Sequence, residues 1–255
     1  MTISVAGDQA IALLLASARI VAWLAVVPPF SGRAVPAMVK VILSLGLSFA
    51  VLPTLTNATI PVGTLALGVN LLTQILVGLA MGFVTYMLFA AIAAAGSLID
   101  VFGGFSLPQG FDPLGLNMNT VFGKFHQMLA TMLLFASGGH LIVLGGLLRT
   151  FEFLPLGESS GVPGSPGMLV TAFGLFFVTA VQIALPMIGV LFIADLGLAL
   201  LTKVAPQLNA INVMFPAKIG LVLLLLGLSF PVLPGAVDRM VDLANQAMVA
   251  MAGGG

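Results

Sequence analysis

The chain contains no cysteine, and charge is nearly as scarce: eight Lys and Arg and eight Asp and Glu make up 6% of 255 residues, with two His, one Trp and one Tyr. Without thiols there is no disulfide framework, no thiolate nucleophile and no Cys-ligated metal. The even balance of signs leaves no polybasic surface for nucleic acid. Soluble domains carry roughly a quarter charged residues, whereas this chain is 60% hydrophobic with a mean hydropathy of +1.22. It reads as an all-α, polytopic integral membrane protein. No HExxH, GxSxG, Gly-rich phosphate loop or paired intramembrane Asp occurs. The histidines, His126 and His140, are expected on one helix, about 20 Å apart and too far to share a metal. Neither enzymatic chemistry nor a cofactor is expected.

Six apolar segments stand out between Pro, Gly, Asn and charges: 10–29, 35–55, 64–98, 125–148, 168–202 and 211–233. Two are overlong. The third and fifth would extend roughly 50 Å against a hydrocarbon core of about 30 Å, so they must tilt, break or leave the membrane, and Pro186 is the expected break in the fifth. The first carries Arg19 and no cleavage pattern, and reads as a retained helix. Basic residues Arg33, Lys40, Lys124, Lys203 and Lys218 against Arg149 and Arg239 put odd-numbered loops in the cytoplasm and both termini outside. At the end, Val237, Met240, Val241, Ala244, Met248 and Met251 alternate at three and four with Asp238, Arg239, Asp242 and Asn245. That is the pattern of an amphipathic surface helix.

Small residues mark close helix approaches: Gly78 and Gly82 form a GxxxG pair, and Ala90 to Gly96 is almost all Ala. They serve either packing within the chain or a subunit interface. Charges at membrane depth are Arg19, Asp195 and, at the end of the third segment, Asp100; they face a water-filled cavity or fix helix packing as an internal ion pair. The stretch 100–124 mixes Gly103, Gly104, Gly110 and Gly115 with Phe102, Phe105, Phe111 and Phe122, and with Met118. It is too apolar for a solvated loop and too broken for a helix. Such backbone lies either on headgroups or, at membrane depth, where protein or a water-filled cavity surrounds it.

Four motifs together resemble one family: ARIVAWLAVVPPFSGRAVPAMVKVILSLGLS at 18–48, QGFDP at 109–113, GGH at 138–140 and ADLGLALLTKVAPQLNAINVMFPAKIGL at 194–221. The sequence is similar to the FliR family of flagellar type III export-gate subunits and its SctT-like virulence counterparts, along nearly the whole chain. That resemblance implies about six long, kinked helices arranged as hairpins. It also implies a FliP-like half at 1–165, a FliQ-like hairpin at 166–235 and an amphipathic tail at 236–255. It implies partners homologous to FliP, FliQ and FlhB, unfolded export substrates, and a place in the bacterial inner membrane at the flagellar basal body. In the resemblance, the central loop plugs a pore through Phe105, Gly110, Phe111, Asp112, Pro113, Met118 and Phe122. The hairpin tip that meets FlhB would hold Lys203, Pro206, Gln207, Asn209, Pro216 and Lys218. Lys203 stands where Arg is common in the family, which removes the bidentate fork for a carboxylate.

Two rival readings follow from the residues. Arg19, Asp195 and a Pro-broken fifth helix also suit an ion-coupled small-molecule transporter, stable alone or as a homo-oligomer. A scaffold lining no pore would tolerate loss of the central loop without ion leakage.

Overall fold

In the computed structural model of the chain the described residues are 2–32, 35–55, 63–105, 120–157, 166–205 and 210–253. Among them run eight α-helices: α1 (Thr2–Val26), α2 (Ala37–Leu55), α3 (Thr64–Gly103), α4 (Val121–Ala136), α5 (Gly139–Phe153), α6 (Pro166–Val204), α7 (Ala210–Ser229) and α8 (Leu233–Met251), with no strand. The all-α membrane class expected from composition is observed, with more helices than the six apolar runs. Four helices, within α1, α2, α3 and α6, are long and apolar enough to cross a bilayer.

α3 has 40 residues and α6 has 39, so each extends close to 60 Å, about twice the hydrocarbon core. α6 does not break at Pro186. Proline removes one backbone bond, to the carbonyl of Gln182, but opening the helix fully in apolar surroundings would orphan several more groups. The expected helix 125–148 is instead two, because the run Ser137-Gly138-Gly139 interrupts it; Gly138 takes φ +74°, a left-handed conformation that only glycine adopts freely. His126 therefore belongs to α4 and His140 to α5, and their spacing along one helix does not apply.

The chain forms two compact units that interleave in sequence: residues 1–88, 138–173 and 240–255 in one, 89–137 and 174–239 in the other. In the first, α1 buries Leu15, Ala16, Arg19, Ile20, Trp23 and Leu24, and it packs on α2, which reaches α5. Gly78 and Gly82 of α3 lie against the α1 backbone at Arg19 and Trp23, where a methyl group at Gly78 would overlap the Arg19 carbonyl. Of the two uses the GxxxG pair left open, packing within the chain is the one observed. In the second unit Gly96 of α3 lies equally close to the backbone of Phe122 and Gly123 on α4.

α8 corrects an expectation. Its apolar stripe, Val237, Met240, Val241, Ala244, Met248 and Met251, is buried, and Gly146 of α5 sits directly beneath Asn245 and Met248. Asp238, Arg239, Asp242 and Gln246 point outward. The amphipathic pattern is real, but protein rather than lipid covers its apolar side.

Candidate functional site

Within the second unit, the last turn of α3, the start of α4 and the α6–α7 pair meet around three contacts. The first begins with Asp100, the one charged residue of α3, 1% exposed. A carboxylate in an apolar helix is costly unless hydrogen-bonded. Here Oδ2 accepts from the backbone amides of Phe122 (2.9 Å) and Gly123 (3.2 Å), the free donors at the N-terminus of α4. The helix dipole adds to the attraction. Thr120, at the N-cap position, makes no side-chain cap to its own helix, because its hydroxyl lies 2.8 Å from that of Ser97 on α3. The cap is thus supplied from across the junction.

The second contact is aromatic. Phe105 meets Phe122 edge to face, ring centroids 5.0 Å apart at 89°, a favoured arrangement of ring quadrupoles. The Phe105 amide donates to the Asp100 carbonyl (2.9 Å), closing the end of α3. One turn into α4, Nδ1 of His126 lies 2.8 Å from the Phe122 carbonyl. That carbonyl can only accept, so Nδ1 carries the hydrogen.

The third contact belongs to Lys218. Its Nζ lies 2.6 Å from Oδ1 of Asp195 on α6 and donates to the Phe102 carbonyl at the end of α3 (3.2 Å), where a cation also opposes the negative helix terminus. Close by, Gly103 abuts Val222 of α7.

Of the loop residues expected from the sequence, Phe105 and Phe122 come together here, while Gly110, Phe111, Asp112, Pro113 and Met118 fall outside the described residues. So do the tip residues Pro206, Gln207 and Asn209. Lys203 is exposed in the last turn of α6, a favourable place for a cation. Pro216 is exposed inside α7, which continues through it. Lys218 lies eight residues beyond the first residue of α7, two turns inside the helix. Asp195, expected as an intramembrane charge, is its ion-pair partner.

Arg19 works in the other unit. Nε donates to Oε1 of Gln74 on α3 (2.8 Å), Nη2 to the Leu154 carbonyl after α5 (3.0 Å), and the guanidinium carbon stands 4.1 Å from the centroid of the Phe151 ring. Among the described residues no carboxylate pairs with it.

No cluster of three or more His, Cys, Asp or Glu that could hold a metal occurs among the described residues. What the second unit offers is mechanical: two helix ends and a helical pair tied by charge at the two ends of the central segment. Asp100, Ser97, Thr120 and Gln74 were not foreseen as a set. The signal for Asp100 was present, as a lone acid at the end of an apolar helix preceded one turn earlier by a glycine.

Residues 10–244 match the model of the bacterial export proteins, family 1. The chain belongs to that family. Among its relatives, the flagellar biosynthetic protein FliR of Pectobacterium carotovorum is 34% identical over 222 residues, 87% of this chain and 85% of that protein. FliR of Escherichia coli is 34% identical over 179 residues, covering 70% and 68%. FliR of Aquifex aeolicus is 31% identical over 179 residues, covering 70% and 69%. As a family 1 export protein with several bilayer-length helices, the chain is a multi-pass membrane component of a bacterial export apparatus.

Proposed function

We propose that this chain is a non-enzymatic channel subunit of the flagellar type III export gate. It sits in the inner membrane at the flagellar basal body, and with FliP, FliQ and FlhB homologues it builds the pore through which unfolded flagellar substrates cross. The observation that carries the reading is the family match from residue 10 to 244 together with relatives that are flagellar biosynthetic proteins. In this reading residues 1–165 are the FliP-like part, 166–235 the FliQ-like hairpin and 236–255 the tail. The segment 105–122 closes the pore, its Phe and Met side chains filling a narrow passage until substrate displaces them. Lys203, Pro206, Gln207, Asn209 and Pro216 form the end of the hairpin that faces FlhB.

The contacts of the charged residues weigh against the ion-coupled transporter. A coupling carboxylate must exchange its ion during each cycle, yet Asp195 is engaged by Lys218, and Arg19 is spent on Gln74, Leu154 and Phe151.

Two measurements test the proposal. Tagged chain purified gently from native membranes should bring FliP and FliQ homologues with it; recovery as a stable, lone or homo-oligomeric protein would favour the transporter. Deleting residues 106–116 should make membranes leak ions, and unchanged conductance would remove the pore-closing role.

A further inference from the structure

Asp100 has no place in the export reading as stated, yet it is the most constrained charge of the second unit. Its carboxylate stabilises the N-terminus of α4 from outside that helix, by the two amide bonds to Oδ2. Such an arrangement exists only if α3 and α4 approach backbone to backbone. The sequence provides for this with Gly96, where any side chain would overlap the Phe122 carbonyl, and Gly123, where one would overlap the Thr120 hydroxyl. The Ser97–Thr120 hydroxyl pair makes a second tie at the same level.

We infer that Asp100 is the positioning residue of the α3–α4 junction: its carboxylate, capping α4 across the gap that Gly96 and Gly123 open, fixes the distance between Phe105 and Thr120. Those are the two points from which the central segment leaves the helices. The inference rests on the reading of 105–122 as the pore-closing segment for its consequence, but not for its geometry. A plugging segment is placed more narrowly when both of its ends are held, and a buried charged cap is a firm anchor for one of them. Lys218 serves the other side of the same end, holding the Phe102 carbonyl from α7. The junction is thereby tied to α4 by Asp100 and to the α6–α7 pair by Lys218.

The cysteine-free chain makes the test direct. With Ser97→Cys and Thr120→Cys as the only thiols, the native hydroxyl separation of 2.8 Å predicts fast disulfide formation under mild oxidation of native membranes containing the whole apparatus. Adding Asp100→Ala should slow that cross-link about tenfold, the scale of a lost helix cap, and raise ion leakage toward that of the 106–116 deletion. Locking the disulfide should suppress the leak. Asp100→Asn keeps the shape and one acceptor oxygen but loses the charge, so it should fall between; if the alanine variant does not accumulate, the asparagine variant decides. An unchanged cross-linking rate overturns the positioning role. A slowed cross-link without leakage, in membranes where the deletion does leak, overturns its consequence for the pore. If the deletion itself does not leak, the pore-closing reading falls, and Asp100 is judged by the cross-linking rate alone.

Discussion

Arg19 and Lys218 are both basic side chains withdrawn from water, and they are held in opposite ways. Arg19 is fully buried and among the described residues meets dipoles and a ring face: an amide oxygen, a carbonyl and Phe151. Lys218, 12% exposed, meets a carboxylate that is itself 36% exposed, plus one carbonyl. The first arrangement ties α1 to α3 and to the end of α5. The second joins two groups that each retain some contact with the surroundings. A planar guanidinium suits three partners in three directions; a point charge on a flexible stem suits one close ion pair and a neighbouring carbonyl.

The sharpest way to break this comparison is to remove Arg19. Arg19→Ala leaves Gln74 and the Leu154 carbonyl unpaired and opens a cavity, a loss of ~3–5 kcal/mol, so the chain should fail to accumulate in membranes on immunoblotting. Arg19→Lys should rescue little, since an ammonium cannot fork to both oxygens while facing Phe151; full rescue would mean that charge alone matters there. Next in size, Lys218→Glu sets two acids face to face and should cut export several-fold in a motility assay while leaving chain levels near normal. Exchanging the pair, Asp195→Lys with Lys218→Asp, should recover part of the loss. No recovery would assign the main role to the Phe102 carbonyl instead of the ion pair. A smaller effect is expected for Pro216→Leu, which restores a backbone donor on an exposed helix face, with export reduced modestly. Smallest, Lys203→Gln should leave the thermal midpoint of purified protein unchanged, because an exposed cation near a helix end contributes only a few tenths of a kcal/mol.

Much of this architecture was legible residue by residue. GxxxG at Gly78 foretold a close helix contact, and the three-four spacing from Val237 foretold α8. What covers α8 was not legible, since periodicity reports that a face is apolar and not what it meets. The Lys218–Asp195 pair was missed because each residue was weighed alone, one as a tip residue and one as an intramembrane acid. Their positions held the signal: Asp195 lies eleven residues before Pro206 and Lys218 nine after Asn209, nearly equidistant from the stretch between α6 and α7. Pro186 misled in the other direction. A proline predicts a break where water can take over the freed carbonyl, and a helix without water nearby has more to lose by opening. The split between α4 and α5 lay in plain view at Ser137-Gly138-Gly139, outweighed by the apolar run on both sides.

That split has a consequence for how the protein is made. α4 has 16 residues and α5 has 15, about 24 and 22 Å, and each is shorter than the hydrocarbon core by itself. A translocation machine sorting segments by length and greasiness would find one span of ordinary hydrophobicity here and release it to the lipid as such. The two helices separate at Gly138, whose left-handed backbone no other residue adopts as freely, so the division of this span is expected to be completed by folding after release rather than by the sorting step.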